Sequence, residues 1–504
     1  MKTIIKIIIL LLVISGTYSC NKFLDVNDDP NAPANVALDL RLKPAILLAN
    51  GAAQWRAARE VVAVTQYVAS RTAGSTADCW NFGSHYFIWQ NTLVWSYPNA
   101  VDMIVMGEDQ NSPHFSGVGK ILKAYLLLSL SDQLGAIPYD DLYDGRSATI
   151  LEPRFEDQQI VYEKCLNDLD EAIEDLSSET NEIPLNNRGG DIIYQGNTEN
   201  WIKFAYALKA RYLNHYSKKS SLYNPTAIID ACSKAFDGDG QDAEFAYNAN
   251  GSKTQANPWS NEGYGDFKGE LPRYGGYSAF FVNMLKSSPF ANDSIDPRLP
   301  IIMNPSDSDA VFRGIVSGRG LEDDIYGSTA LHYYCNVPEG FYSKADSPFP
   351  FITYSEVKFI EAEARLRNGD IGGSRAAFKE GVLANMRKLG VPDSSLTEAE
   401  NKIDALTDND FTPLDSGLHY IMTQKYISMV FNPETWVDMR RMDYDSAIYH
   451  GLRQPENVNT IFGPGEWIKA MVYEYNEENR NPENIPNNVP EVRLKTPVWW
   501  DIPE

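Results

Sequence analysis

Aromatic side chains are concentrated in the stretch CWNFGSHYFIWQNTLVWSYP, residues 79–98. Its first part places Trp80, Phe82 and Tyr86 among asparagine, glycine and serine residues, a composition that argues against a plain buried helix. Flat rings exposed beside amide and hydroxyl groups suit stacking on sugar faces or contacts with other amphipathic ligands. These three rings are therefore candidate ligand contacts, and burial in the core is the alternative.

A second aromatic group follows in NPWSNEGYGDFKGELPRYGGYS, residues 257–278, where glycines separate the rings. Trp259, Tyr264 and Tyr274 are the candidate ligand contacts in this group, and burial is again the alternative. Both groups indicate a binding function that depends on aromatic stacking.

The short motifs of common catalytic sites are absent from the sequence. We find no HExxH, no GxSxG, no phosphate-binding loop of the Walker A type, no paired CxxC and no GxGxxG after a strand. The histidines are scattered singly, so we expect none of them to bind a metal: His85, His114, His215, His332, His419 and His450. With 68 acidic residues, spacing cannot identify a glycosidase carboxylate pair. The sequence predicts a protein that is not an enzyme and has no cofactor, with a surface-attached glycan hydrolase as the alternative.

The acidic run DGDGQD, residues 237–242, begins like a calcium-binding loop. It lacks the glutamate that such loops carry at the twelfth position. A solvated turn is therefore the favoured interpretation, and calcium binding stays an open alternative.

Helical periodicity dominates the sequence that must position these groups. Apolar residues recur at helical spacing in 118–125 and 162–176, which predicts two amphipathic helices. Gly135 and Pro138 should end the first helix, because glycine accepts the left-handed cap and proline cannot continue the hydrogen-bond ladder. Trp95 leads into another helix and is expected in the core. The other helices are predicted near 45–70, 100–107, 199–217, 226–236, 353–368, 372–389, 416–431 and 465–475.

Two of these helices, 353–368 and 372–389, flank a Gly369-Asp370 turn and carry alanines that would allow close approach. They resemble a tetratricopeptide-type helix pair. Residues 240–350 differ, being rich in Gly, Asn, Ser, Pro, Tyr and Trp and poor in helical period. Because so long a segment cannot be a mere linker, we expect ordered, function-bearing loops there. The predicted fold is mostly α, with tetratricopeptide-like helix pairs forming a scaffold for long loop-rich insertions.

The N-terminus has the pattern of an export signal. Lys2 and Lys6 accompany an apolar run that is shorter than the roughly 20 residues needed to span a bilayer. The cysteine that follows, Cys20, resembles the acylated cysteine of a bacterial lipoprotein. We therefore predict a signal peptide over residues 1–19, a lipid anchor on Cys20 and a single domain over residues 20–504. Thr17 stands where such signals usually carry leucine, so secretion with a free Cys20 stays an alternative.

The chain is strongly acidic, with a formal net charge of −24. Residues 1–19 contain two lysines and no acidic residue, so their removal brings the charge to −26. An acidic surface is repelled by phosphate backbones and by anionic lipid headgroups. We therefore expect no nucleic-acid partner and a membrane contact through the lipid anchor alone.

The four cysteines beyond the signal region match no zinc-binding spacing. Cys165 and Cys232 occupy apolar helical positions, so buried thiols are expected there. Cys79 and Cys335 lie in aromatic, loop-like sequence, where a disulfide between them stays open.

Seven stretches, in order along the chain, together resemble one family: CNKFLDVNDDPNAP, KAYLLLSLSDQLGAIPYDD, DIIYQGNTENWIKFAYALKAR, DPRLP, PFITYSEVKFIEAEA, TQKYISMVFNPETWVDMRR and TPVWWD. The ordered set is similar to the SusD/RagB family of Bacteroidetes outer-membrane lipoproteins, over nearly the whole mature chain. The resemblance implies a SusD-like helical fold of four tetratricopeptide-like pairs that carry loop-rich insertions.

The same resemblance implies a nutrient-binding lipoprotein of the cell outer membrane that faces the exterior. It implies a SusC-like TonB-dependent transporter as partner, with this protein as its lid and a glycan or oligosaccharide as ligand. A peptide-binding member of the family is an alternative, and an adhesive surface protein without a transporter is a third.

Several residues of the matching stretches are expected to hold helix pairs together through an aromatic residue and a buried ion pair: Asn200, Trp201, Glu363, Trp436, Arg440 and Arg441. Ligand residues in this family lie in variable loops. The resemblance therefore transfers no ligand contact to this sequence.

Overall fold

The computed structural model describes residues 36–83, 86–147, 150–250, 255–260, 275–291, 295–337 and 340–504. Within these ranges the chain is mostly helical, and its only paired strands are β1 (Val68–Ala69) and β2 (Gly276–Tyr277), which run antiparallel. The predicted mostly α fold is therefore confirmed. The predicted signal peptide and Cys20 lie outside the described residues, and the single domain stays a prediction.

The α-helices fall on either side of the loop-rich middle of the chain. Those before it are α1 (Leu42–Leu48), α2 (Trp55–Val61), α3 (Tyr86–Trp89), α4 (Tyr97–Asp109), α5 (Pro113–Leu134), α6 (Gln158–Leu176), α7 (Thr198–Asn214) and α8 (Pro225–Lys234). Those within it are α9 (Ala279–Lys286), α10 (Leu299–Ile302) and α11 (Asp323–Tyr326). Those after it are α12 (Tyr354–Arg367), α13 (Ile371–Lys388), α14 (Asp393–Asp404), α15 (Leu414–Ser428), α16 (Glu434–Arg441), α17 (Tyr475–Arg480) and α18 (Pro490–Arg493).

Consecutive helices pack against each other as pairs, with α4 on α5, α5 on α6, α7 on α8 and α12 on α13. The approach of α5 to both neighbours is close. A Cβ atom on Gly119 would lie 2.7 Å from the Ala100 carbonyl oxygen of α4, and one on Gly117 would lie 2.9 Å from the Ala172 carbonyl oxygen of α6. Only glycine fits at such distances, so these two positions set the spacing of three helices.

The predicted tetratricopeptide-type pair is present as α12 and α13. Gly369 has a φ of +78° in the turn, a conformation that glycine adopts without strain. The Asp370 side chain caps α13 by accepting a hydrogen bond from the Gly373 N–H at 2.9 Å. Across the pair, the Ser374 hydroxyl donates to the Ala362 carbonyl at 2.8 Å. Helix α12 also contacts α8 and α15, which places it at the centre of the scaffold.

One predicted helix is wrong. Residues 465–475 have no helical turns, and α17 begins only at Tyr475. The backbone there bonds to distant segments instead, because the Met471 N–H donates to the Gln133 carbonyl and the Lys469 N–H donates to the Leu494 carbonyl, each at 2.8 Å. Tertiary pairing of the backbone therefore overrides the apolar spacing that suggested a helix.

The end of α5 agrees with its prediction, since the helix stops at Leu134 and Gly135 follows with a φ of +79°.

The prediction for Trp95 is wrong. Its side chain is 47% exposed and does not lie in the core. Among the described residues no helix is both long enough and apolar enough to cross a bilayer.

The described loops of residues 275–337 are tied to the segment that leaves α2. The Gly275 N–H donates to the Ala69 carbonyl at 2.9 Å, and the Ser278 N–H donates to the Tyr67 carbonyl at 3.0 Å. The Ile315 N–H extends this pairing by donating to the Tyr277 carbonyl at 2.9 Å. These backbone hydrogen bonds extend the pairing of β1 with β2, so the described part of this segment has an ordered backbone with only short helices and strands.

Candidate ligand-binding site

Three of the rings predicted to contact ligand are buried. Trp80 and Trp259 are 0% and 2% exposed, and Phe82 is 9% exposed. Trp80 packs edge-on against Phe462 at 5.2 Å between ring centroids, whereas Trp259 stacks on Phe431 at 4.6 Å. The premise that these rings face solvent is wrong, because distant chain segments cover them although their local sequence is loop-like.

The other three predicted contacts cannot be compared in the same way. Tyr264 and Tyr274 lie outside the described residues, as does the side chain of Tyr86. Their proposed contact with ligand stays a prediction.

A different pair of rings is accessible in the loop-rich insertion. Tyr326 and Tyr333 stack on each other with centroids 4.3 Å apart and planes inclined by 20°. Both rings are half-buried, and Tyr333 has no further ring neighbour among the described residues. Neither phenol hydroxyl bonds to a described residue, so both can exchange hydrogen bonds with a ligand. We call this pair the tyrosine platform.

Charged side chains border the tyrosine platform. The Arg313 guanidinium carbon lies 5.3 Å from the Tyr326 ring centroid, and its Nη1 donates to the Tyr333 carbonyl at 2.6 Å. Asp309 accepts from Arg313 Nη2 at 3.0 Å, and this hydrogen bond holds the pKa of Asp309 below its usual value. His332 immediately precedes Tyr333 in the sequence and is exposed, with Nδ1 3.6 Å from the Asp307 carboxylate. Donors and acceptors thus surround an aromatic surface, which is the arrangement that sugar hydroxyls require.

The tyrosine platform rests on a small apolar cluster formed by Ala69, Ile315 and Tyr334. The Tyr334 hydroxyl donates to Glu322 at 3.0 Å. Burial is the main cause, and the hydrogen bond to this carboxylate the second, that raises the pKa of Tyr334 to about 12. Nearby, the buried Asp78 carboxylate accepts the Gly318 N–H at 2.7 Å and the Ser70 N–H at 3.0 Å. These contacts fix the platform to the segment after α2.

Sequence reasoning overlooked Tyr326 and Tyr333 because neither lies in a dense aromatic run. The adjacent residues Tyr333 and Tyr334 differ in solvent exposure: the Tyr333 side chain is half-buried, whereas the Tyr334 side chain is only 5% exposed. The available signal was the cluster IYGSTALHYY inside the segment already expected to bear function.

Four of the six residues expected to hold helix pairs together do so, namely Glu363, Trp436, Arg440 and Arg441. Trp201 is buried and its Nε1–H donates to Asp191 at 2.9 Å, whereas the Asn200 side chain makes no hydrogen bond to another described helix. Arg441 and Glu363 form a buried ion pair, with Nη1 to Oε1 at 2.8 Å and both side chains fully covered. Arg441 also reaches Asp438 at 2.6 Å. Arg440 lies between two indoles, its guanidinium carbon 3.7 Å from the Trp436 ring centroid and 4.6 Å from that of Trp500. The expected aromatic residue and buried ion pair are thus confirmed.

One group of potential metal ligands occurs among the described residues, namely Asp132, His215 and Glu434, whose ligand atoms lie within 4.8 Å of one another. Both imidazole nitrogens are already hydrogen-bonded, Nδ1 to the Tyr162 hydroxyl at 2.7 Å and Nε2 to Glu434 Oε1 at 2.7 Å. Burial disfavours the charged imidazolium, but the Glu434 and Asp132 carboxylates outweigh it and raise the pKa of His215 to about 9. The group therefore acts as a hydrogen-bonded ionic cluster between helices.

The acidic run 237–242 is neutralised by basic side chains. Asp237 pairs with Lys203 at 2.9 Å, Asp239 with Arg387 at 2.6 Å and Asp242 with Lys388 at 2.7 Å. These ion pairs engage the carboxylates that a calcium ion would need.

Cys79, Cys165, Cys232 and Cys335 are free and buried. Burial is the main cause that raises the pKa of the Cys79 and Cys335 thiols to about 11 each. The open alternative of a Cys79–Cys335 disulfide is therefore not realised.

A family model described as "Starch-binding associating with outer membrane" matches residues 35–459, which is most of the chain. The chain belongs to the SusD-like family. No curated protein matches it. The family resemblance predicted from the seven ordered stretches is thus confirmed.

Solved structures of the family share its fold. A SusD/RagB family protein of Bacteroides thetaiotaomicron superimposes with a TM-score of 0.74 at 20% identity, covering 93% of this chain and 100% of its own. A chitin-binding SusD homologue of Flavobacterium johnsoniae gives 0.73 at 17% identity, covering 92% and 98%. A SusD homologue of Bacteroides uniformis gives 0.72 at 20% identity, covering 93% and 100%. At these identities the likeness establishes the fold alone.

Proposed function

We propose that this protein is a non-enzymatic, glycan-binding lipoprotein of the outer-membrane surface that acts as the lid of a SusC-like transporter. Its glycan binds at the tyrosine platform, with Arg313, Asp309 and His332 contacting hydroxyl groups. Membership of a family described as starch-binding and outer-membrane-associated supports this proposal. The observation that carries it is a stacked, partly exposed tyrosine pair bordered by charged side chains in the loop-rich insertion.

A protein that passes its ligand to a transporter must bind weakly enough to release it. Base stacking on aromatic side chains is worth about 1–3 kcal/mol per ring, and sugar stacking should be of that order or less. One partly exposed ring and a few hydrogen bonds therefore correspond to a dissociation constant in the range of about 1 µM to about 1 mM. An exposed platform fits such transfer better than a closed pocket does.

A combined binding and turnover screen tests this function. Purified protein lacking residues 1–20 is incubated with neutral oligosaccharides and with peptides, and both binding and product formation are measured. We expect binding of at least one glycan without product. Product that disappears on a single Asp or Glu substitution would favour the hydrolase alternative, and binding of peptides alone would favour the peptide-binding alternative.

The proposed anchor gives a separate prediction. Because Cys20 follows the apolar signal, the Cys20→Ala variant should lose incorporation of a fatty-acid analogue and leave the membrane fraction. Cys79→Ala is the matched control and should label like the wild type, since Cys79 is buried. Labelling of Cys20→Ala at the wild-type level would contradict the prediction that Cys20 carries the lipid anchor.

The transporter partnership is tested by gentle solubilisation of the outer membrane. An affinity-tagged wild-type protein should co-purify with a large TonB-dependent barrel encoded beside it. Recovery of the tagged protein without such a barrel would favour the adhesive alternative.

A further inference from the structure

A cleft of about 550 Å³ lies away from the tyrosine platform, where the insertion joins the helix pair α12 and α13. Its walls come from residues 239–246, from the start of α12 at Tyr354 and from the end of α13 at Arg387 and Lys388. This volume is within the range of small-molecule sites, about 300–1,000 Å³. The cleft is therefore large enough for a short oligomer.

Charged side chains in the cleft are held rigidly by one another. The Lys388 ammonium donates to Asp242 Oδ2 at 2.7 Å and to both Glu244 carboxylate oxygens at 2.6 Å. Asp242 Oδ1 also accepts the Tyr354 N–H at 2.6 Å, which ties the cluster to the first turn of α12. Arg387 is fixed to Asp239, with Nε to Oδ2 at 2.6 Å. Binding there would require little ordering of side chains.

These groups retain hydrogen-bonding capacity that faces the cleft. Lys388 uses all three of its N–H donors, but each oxygen of Asp242 and Glu244 keeps an unused lone pair. Arg387 Nη1 bonds to no described residue and so offers two N–H donors. The cleft thus presents acceptors and donors side by side.

Apolar side chains also line the cleft, among them Ile192, Ile193, Phe245 and Pro348. An apolar surface beside carboxylate and guanidinium groups matches the two sides of a sugar ring, which has C–H groups on its faces and hydroxyls at its edge.

The existing ion pairs decide which ligand class fits. An anion or a zwitterion gains little from Lys388 or Arg387, because carboxylates at 2.6–2.7 Å already balance both positive charges. A neutral polyol needs only the unused lone pairs and N–H groups, because each hydroxyl both donates and accepts. The closed ion pairs therefore favour a neutral ligand over a charged one.

We propose that this cleft is a second binding site, for a short neutral oligosaccharide held by Asp242, Glu244 and Arg387. The proposal does not depend on the tyrosine platform, and the two sites could hold separate parts of one polymer or two separate chains.

The test measures ligand binding at the cleft in a variant that lacks the tyrosine platform because it carries both Tyr326→Ala and Tyr333→Ala. Maltotriose, mannotriose and the trimer of N-acetylglucosamine are titrated calorimetrically, with trialanine as the zwitterionic comparison. We expect residual binding of at least one trisaccharide and none of trialanine. Adding Ala246→Trp, which fills the cleft from an exposed position on its wall, should weaken that residual binding at least tenfold. Adding Ala405→Trp, at an exposed position outside the cleft, should leave it unchanged.

The outcomes separate the two sites. Wild-type binding that vanishes completely in the platform variant overturns the second site and leaves the platform intact. Residual binding that Ala246→Trp does not weaken also overturns it, as does binding of trialanine alone. Binding that the platform variant retains at full strength but Ala246→Trp removes supports the cleft and contradicts the platform. A wild-type protein that binds none of the trisaccharides overturns the cleft, whereas the platform would still be open to other glycans.

Discussion

Buried charges hold the helical scaffold together at the level of single residues. Glu363 accepts from Arg441 of α16 and from Arg367 of its own helix α12, and also from Asn214 of α7. Burial opposes its charge, but Arg441 and then Arg367 outweigh that effect and hold the pKa of Glu363 well below its usual value. One carboxylate therefore joins three helices.

The Glu363→Gln substitution should be strongly destabilising. It removes the negative charge and leaves Arg441 buried with Asp438 as its only carboxylate. Breaking a buried pair of this kind costs about 3–5 kcal/mol of the free energy of unfolding, measured by chemical denaturation. Asp230→Asn, at an exposed pair with Lys234, is the control and should leave the denaturation midpoint nearly unchanged. Equal midpoints for the two variants would contradict the role of Glu363.

His215 predicts a loss of stability at alkaline pH. Its folded pKa of about 9 lies above the ordinary value of 6.5, so its contribution is complete below about pH 6.5 and is lost as the pH rises through about 9. The shift corresponds to about 3 kcal/mol in the free energy of unfolding. Denaturation midpoints measured between about pH 6 and pH 9.5 should fall for the wild type and fall less for His215→Gln. His114→Gln, a histidine outside this cluster, should keep the wild-type slope; parallel slopes for all three proteins would contradict the assignment.

The sequence predicts the burial of some single residues but not of others. Glu363, Arg441 and Trp436 were predictable as structural residues because the stretches that contain them match a family in order. Trp80 and Trp259 were misjudged because the rings that pack over them, Phe462 and Phe431, lie far away in the sequence. Local composition describes a loop, whereas burial depends on what packs over it.

At the scale of elements, the spacing of α4, α5 and α6 depends on small residues. Gly119 allows the backbone of α5 to approach that of α4, and Gly117 does the same on the side of α6. Since helix pairs are the repeating unit of the scaffold, a change in this spacing would displace the surfaces that they carry.

A Gly119→Val substitution tests that dependence. Its Cβ would lie 2.7 Å from a backbone oxygen that cannot rotate away, so the helices must separate. Overpacking typically costs about 1–3 kcal/mol, which chemical denaturation would detect. Gly372→Ala, in the first turn of α13 with open space around it, is the control and should be neutral or slightly stabilising. A Gly119→Val protein as stable as the wild type would show that α4 and α5 are not closely packed.

Helices α5, α6, α12 and α13 were predictable because their apolar spacing and clear end signals define them, although α5 is buried on nearly all sides and is not amphipathic as expected. The segment 465–475 was not, since its buried residues meet partners through an extended backbone. The tyrosine platform was not predictable either, because Tyr326 and Tyr333 become neighbours only through the short 3₁₀ helix Gly327–Tyr333.

At the scale of the whole molecule, a helical scaffold carries loops that hold the candidate glycan contacts. The acidic surface, with a net charge of −24, disfavours polyanionic partners and is compatible with neutral glycans. The proposed binding on an open platform is weak and reversible, which suits the proposed transfer of the ligand to a transporter.

We propose that glycan binds on the tyrosine platform while the helical scaffold stays unchanged. Isothermal titration with a glycan found in the screen, combined with thermal unfolding, tests it on Tyr333→Ala. Losing this partly exposed ring should weaken binding about tenfold, equivalent to about 1.4 kcal/mol, and leave the melting temperature nearly unchanged. The control Trp95→Ala removes another half-exposed ring outside the insertion and should keep wild-type affinity. Wild-type affinity in Tyr333→Ala, or a loss of affinity of the same size in Trp95→Ala, would contradict glycan binding on the tyrosine platform.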